Sequence, residues 1–302
     1  WSSDVCSSDL EIVNEFDLNN KTVLISFESK SIGDTIAWAP YSVEFSKKYN
    51  CKVILSTFHN DWFINNEQYK DITFVNPGSI VECYTVYRIG YFKSDDDSWS
   101  RFEMYPNQIN RVPLQKVASD ILGLDYKEIN LGIHFKVSNR PIPKKYVVLA
   151  PESTAGCKEW VYENWVSLSE KLINSGYEVY TLTVKPYYLP GVRNICGKNW
   201  GIVMNYLYHS EFLVGLSSGL SWVNWALFKK TVMIAGFSEE FNEFTTNNIR
   251  ISNDVCIKCW NDPVLKFDAG DWDWCPVYKG TTRQHVCQKS ITVDQVFDKL
   301  PI

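Results

Sequence analysis

The sequence predicts an α/β protein with two parallel sheets, and three observations carry that prediction. Apolar, β-branched runs alternate with segments of helical spacing along most of the chain. Short turns rich in Gly, Ser and Pro separate them. A stretch concentrating Pro and charge at residues 137–145 divides the alternation into two halves.

In the first half, residues 21–29 (KTVLISFES) read as a strand, SIGD as a turn, 35–49 as a helix and 51–57 (CKVILST) as a returning strand, which makes one βαβ unit. Residues 71–78 supply a further short strand, and 86–92 (VYRIGYF) a strand lining a cleft. Residues 93–100 are loop-like, and 113–124 form an amphipathic helix stopped at Gly123. In the second half, 146–153 is a strand feeding a turn, 164–176 a helix stopped by Gly176, and 177–184 a strand. Helix 199–210, strand 211–218, helix 219–228 and strand 230–236 follow. Two such Rossmann-like sheets facing across a cleft form the GT-B glycosyltransferase architecture, although fold alone does not settle function. The expected boundaries are 11–140 for an N-terminal acceptor-side domain and 141–302 for a C-terminal nucleotide-sugar domain.

The chain has 302 residues, 45% of them hydrophobic, which suits a soluble globular protein of two domains. Its formal charge of −5 leaves no broad cationic face, which argues against nucleic-acid partners and anionic membrane surfaces. No apolar run approaches the ~20 residues that span a bilayer, and no secretory pattern opens the chain, so a cytoplasmic protein without membrane insertion is expected. Aromatic residues at 15%, with 12 Trp and 17 Tyr, exceed the needs of a core and suit a sugar site. Residues 1–10 (WSSDVCSSDL) read as a non-native, adapter-derived segment, which implies a chain clipped at its N-terminus.

Ligands of parallel sheets gather at strand carboxyl ends, where helix N-termini offer free N–H groups. Three turns fit that rule. The first, 29–35, places Asp34 at a helix start, either as a helix cap or as a functional carboxylate. The second, 151–158, sets Ser153 and Thr154 before Lys158 and can cradle a diphosphate; its spacing is not that of a P-loop, and a plain capped turn competes with this reading. The third contains Ser218, Gly219 and Leu220, where small residues let a phosphate or ribose approach the backbone; a generic loop is the competing reading. Asp95, Asp96 and Asp97 lie amid Ser and Lys and read as a solvated loop.

Nine cysteines in a chain of this length read as thiols or metal ligands. Cys256 and Cys259 form a CxxC pair; fifteen residues separate it from Cys275, and eleven more precede Cys287. That set can surround one ion in a finger at about 254–290, with zinc favoured on residue types, iron also possible and His285 a substitute ligand. The intervening sequence looks too polar to bury itself, so an ion would supply its cohesion. A closed four-thiolate site leaves no position for chemistry. His59, His134 and His209 show no ligand spacing and read as structural.

SFESKSIGDTIAWAPYSVEF, APESTAGCKEW, and the pair CIKCWNDPVLKFDAGDWDWCP and RQHVCQKSIT occur in order, and together they resemble the bacterial autotransporter heptosyltransferases, relatives of the lipopolysaccharide heptosyltransferases. The resemblance extends over residues 11–302. It implies an inverting, metal-independent transfer of heptose from ADP-heptose to serine hydroxyls of an autotransporter passenger. It implies Asp34 as catalytic base, Lys158 at the donor diphosphate with Ser153 and Thr154 beside it, and structural iron, in preference to zinc, on Cys256, Cys259, Cys275 and Cys287; the reading of the third turn adds Ser218, Gly219 and Leu220 at the donor. It also implies a further N-terminal domain, while the protruding aromatic finger suggests subunit contact and so a homo-oligomer. Where lipopolysaccharide enzymes carry Asp-Thr-Gly-Leu-Ser-His, this chain has Ser217-Ser218-Gly219-Leu220-Ser221-Trp222, which favours the protein-modifying branch. The competing readings are a glycosyltransferase for another nucleotide sugar or acceptor, and a non-catalytic metal-finger scaffold.

Overall fold

The computed structural model describes residues 17–90, 109–265, 267–268 and 270–302. The N-terminal lobe holds β1 (Thr22–Phe27), α1 (Ile32–Tyr49), β2 (Lys52–Ser56), β3 (Ile72–Val75), β4 (Thr85–Ile89) and α2 (Leu114–Ile121). Its four strands are parallel in the order β3-β2-β1-β4. The C-terminal lobe begins with β5 (Tyr146–Ala150), α3 (Tyr162–Asn174), β6 (Glu178–Thr183) and β7 (Arg193–Cys196). It continues with α4 (Trp200–His209), β8 (Leu213–Leu216), α5 (Gly219–Ala226), β9 (Thr231–Ile234) and β10 (Asn248–Ile251), and ends in α6 (Val286–Lys289) and α7 (Val293–Phe297). This sheet is also parallel, in the order β10-β9-β8-β5-β6-β7.

Burial follows position in the sheet. The inner strands β5, β8 and β9 are buried at every residue, which is why YVVLA, LVGL and TVMI read as continuous apolar runs. The edge strand β4 mixes exposed and buried positions. Helix α1 is buried from Gly33 to Val43 because it meets the sheet, α2 and α5 at once. Trp38 joins α1 to α2 by donating its indole N–H to the Leu114 carbonyl at 2.9 Å.

In each lobe the chain builds outward from a central strand and then crosses to that strand's other side. The crossings fall between β1 and β4 and between β5 and β8, the switch points where parallel sheets open a crevice. The three turns singled out above leave the carboxyl ends of β1, β5 and β8. The structure differs from expectation in detail. Helix α1 starts three residues early, at Ile32, because Ser31 caps it. Strands β7 and β10 were not anticipated, and the Asp95–Asp97 run, the first decapeptide and the end of VYRIGYF lie outside the described residues.

Candidate active site

At the first turn, the Ser31 side chain accepts the Asp34 N–H, so Ser31 caps α1 and Asp34 does not. The Asp34 carboxylate is 7% exposed and accepts a hydrogen bond from Ser29 Oγ at 2.6 Å. Ser29 Oγ also accepts the Ser31 N–H at 3.1 Å, which fixes the hydroxyl and thereby the carboxylate. A carboxylate that accepts a hydrogen bond at a helix N-terminus is oriented, and with about four lone-pair sites it keeps capacity to accept a proton.

The second turn departs from the sequence reading: Gly156–Lys158 is a separate 3-10 turn that ends before α3. Ser153 Oγ accepts the Ala155 N–H at 3.2 Å inside this turn, and Thr154 is exposed. Lys158 Nζ reaches across to the third turn and donates to the Ser217 carbonyl at 3.2 Å. The same ammonium lies 5.9 Å from the ring centres of Phe237 and Trp260, within cation–π range.

At the third turn Ser218 is the residue before α5, and its buried Oγ has no hydrogen-bond partner among the described residues. Leu220 packs against the main core. This turn abuts the first one: a Cβ on Gly33 would meet the Trp222 ring at 3.0 Å, and one on Gly219 would stand 3.4 Å from Ile32 Cβ. Contacts therefore run from the Asp34 turn through the start of α5 to Lys158, so the three turns share one crevice.

Beneath that crevice lies a carboxylate that sequence reading missed. Glu243 accepts hydrogen bonds from Ser217 Oγ and from Asn242 at 2.8 Å and Ser238 at 3.1 Å, and it pairs with Arg250. The two paired side chains are 2% and 6% exposed. Burial alone would raise the Glu243 pKa; the Arg250 charge, the hydrogen bonds and the nearby Lys158 outweigh it and hold the carboxyl below its ordinary value. Arg250 also donates to the Ser238 carbonyl at 2.7 Å and the Ala235 carbonyl at 3.1 Å. Glu243 lies between two short elements, and no motif marks it.

Cys259, Cys275 and Cys287 are buried and Cys256 is half-buried, all as free thiols. Burial, then the neighbouring Cys256, Cys259 and Cys275, push the Cys287 thiol up to about 12. Burial, then Cys256 and Cys275, do the same to Cys259. The four sulfurs thus lie within one another's electrostatic reach. No group of three or more Cys, His, Asp or Glu stands at metal-holding distances among the described residues. His285 turns its ring to the Asp273 carbonyl at 3.2 Å. Contrary to expectation the segment has an apolar core: Trp274 packs edge-on to Phe237 and Phe267, and Ala155, Cys157 and Cys259 complete the cluster.

Of the remaining candidates, His59 and His209 bind the Lys30 and Ser138 carbonyls at 3.1 and 2.9 Å. A hollow of about 540 Å³ lined by Asn66, Glu67, Asn130, His134 and Phe228 lies toward the other end of α5 and includes none of the three turns.

Two parallel sheets, each with a switch point, form a two-lobed α/β architecture, and the profile of glycosyltransferase family 9 (heptosyltransferase) matches residues 114–254. Within it, the chain belongs to the autotransporter heptosyltransferases. It is 33% identical over 304 residues to the autotransporter heptosyltransferase Aah of Escherichia coli, covering 93% of this chain and 73% of Aah. It is 30% identical over 293 residues to BimC of Burkholderia thailandensis, named an inactive autotransporter heptosyltransferase, covering 93% of this chain and 68% of BimC. The crystal structure of TibC from enterotoxigenic E. coli H10407, described as an iron-containing dodecameric glycosyltransferase, superposes with a TM-score of 0.83 at 32% identity, covering 93% of this chain and 78% of that one. A second TibC crystal structure holds ADP-D-β-D-heptose.

Proposed function

We propose that this chain transfers heptose from ADP-heptose to serine hydroxyls of an autotransporter passenger in the cytoplasm, with inversion and no catalytic metal. The observation that carries this reading is the meeting of a buried, oriented carboxylate with an ammonium and a helix N-terminus in one crevice. Asp34 takes the proton from the serine hydroxyl as that oxygen attacks the anomeric carbon on the face opposite the diphosphate. The bond from that carbon to the diphosphate oxygen breaks, and ADP leaves with the electron pair. Lys158 and the free N–H groups at the start of α5 stabilise its charge, while Ser218 Oγ offers a donor to a phosphate or ribose oxygen. Ser153 and Thr154 flank the phosphate side, and Gly219 and Leu220 line the approach.

Donor chemistry supports a metal in the cysteine segment. Cys256, Cys259, Cys275 and Cys287 would hold iron, the metal that TibC is described as containing, and the ion would supply cohesion by converting four thiols to ligands. Kinship with TibC also supports a homo-oligomer. Among the described residues no helix is long and apolar enough to cross a membrane.

Incubating the chain with ADP-heptose and a serine-rich passenger, followed by intact mass, tests the proposal: a heptose mass increment is expected. A different increment identifies another nucleotide sugar. No increment favours the scaffold reading. A second expectation concerns Lys158→Ala, which removes charge-assisted contacts and should weaken ADP binding by ~10- to 100-fold in calorimetry. Unchanged affinity removes Lys158 from the donor site.

A further inference from the structure

The cysteine-rich segment grips the main chain of the Lys158 turn from two sides. On one side, the Cys157 N–H donates to the Trp272 carbonyl at 3.2 Å. On the other, Gln288 Nε2 donates to the Lys158 carbonyl. Gln288 is 1% exposed, and its Oε1 accepts the Gly236 N–H at 2.8 Å. Both polar ends of one buried amide are thus used on backbone, one on the Lys158 turn and one on the loop after β9. The approach is close: a Cβ on Gly236 would stand 2.0 Å from the Cys287 carbonyl oxygen, so only glycine fits. Asn253 holds the outer side, donating to the Cys287 carbonyl and to Ser290 Oγ at 2.8 Å each.

We infer that Gln288 is a positioning residue for the donor diphosphate. It fixes the Lys158 main chain from behind, so the cysteine-rich segment sets the aim of the Lys158 ammonium without touching the nucleotide. A lysine side chain has four rotatable bonds, and its reach toward an anion depends on where its Cα is anchored. A displacement on the order of 1 Å is enough to cost much of a charge-assisted contact. Without the Gln288 amide, a partly buried carbonyl at Lys158 and a buried N–H at Gly236 both lose their partner, and the turn relaxes to find others. The inference rests on the donor-site reading and extends it to a residue from another part of the chain.

The experiment compares ADP with adenosine, which lacks phosphate, by calorimetry on the full chain and on Gln288→Met, an apolar side chain of similar length. ADP affinity is expected to fall ~10-fold, the scale of a lost buried hydrogen bond, while adenosine affinity stays within about twofold. In the transfer assay KM for ADP-heptose rises by a similar factor and kcat changes less. Unchanged ADP affinity overturns the inference, and so does an equal loss for ADP and adenosine, which marks general damage. Should Gln288→Met fail to fold, Asn253→Ala loosens the same segment from outside. An ADP-selective loss of about threefold is expected there, and no loss overturns the inference. A wild-type chain that binds neither ADP nor ADP-heptose overturns the donor-site reading itself, which separates the two failures.

Discussion

Asp34→Asn is expected to lower transfer by ~10²- to 10⁴-fold, the usual contribution of a general base, while leaving ADP affinity within about twofold. Asparagine keeps the shape of the side chain and an oxygen for the Ser29 hydroxyl, which donates to Asp34 at 2.6 Å, so the turn stays in place. What it loses is the ability to accept the serine proton. The donor contacts lie on the other lobe, around Lys158 and the start of α5, and are not altered. The loss should therefore fall on kcat, with ADP binding read separately by calorimetry. A variant that transfers at the wild-type rate would falsify the assignment of Asp34 as base.

Arg250→Met is expected to destabilise the fold by about 3–5 kcal/mol at neutral pH, measured by urea denaturation. The size follows from what remains: Glu243 is 2% exposed at its side chain and would be left as an uncompensated buried charge. The ion pair as a whole need not be stabilising, because both partners lost their hydration on burial. Replacing both, as Glu243→Gln with Arg250→Met, should recover much of the loss. The sign with pH follows from the lowered Glu243 pKa. In the wild type its contribution is complete above the ordinary carboxylate range, near ~4.3, and is lost as pH falls through the lower folded value. In Arg250→Met the folded value rises instead, so the penalty shrinks as acid neutralises the carboxyl. A penalty that stays constant between neutral and acid pH would show that the charge is not its cause. Because Ser217 donates to Glu243, and its carbonyl accepts from Lys158, the double variant should still bind ADP more weakly than wild type.

The fold was legible wherever local pattern and final environment agree. The inner strands β5 and β8 read as apolar runs because both faces are covered, and the turns after β1, β5 and β8 carry the small and hydroxyl residues that such turns need. The strands that escaped notice, RNIC and NIRI, have four residues each, lie at sheet edges and mix polar with apolar positions. Asp34, Lys158 and Ser218 stood out because each closes or opens a patterned element. Glu243 and Gln288 did not: besides its near neighbours Glu243 meets Ser217 across 26 positions, and Gln288 meets Lys158 across 130, so what ties each to the site is remote in sequence. An acid in a loop and an amide after a cysteine have ordinary surface readings until folding buries them. The CxxC spacing was visible, but the aromatic cluster beneath it depends on Phe237 and Ala155 arriving from elsewhere.

The cysteine-rich segment also touches the N-terminal lobe: Asn110 donates to the Trp260 carbonyl at 2.6 Å, Arg111 to the Pro263 carbonyl at 2.6 Å, and Asn261 to the Asn110 carbonyl. The crevice is therefore latched along one flank. A wide swing of one half away from the other must undo that latch together with the packing of α1 on α5 and the hydrogen bonds from Thr245 and Thr246 to Glu128, so prising the halves apart is a costly way to admit reactants.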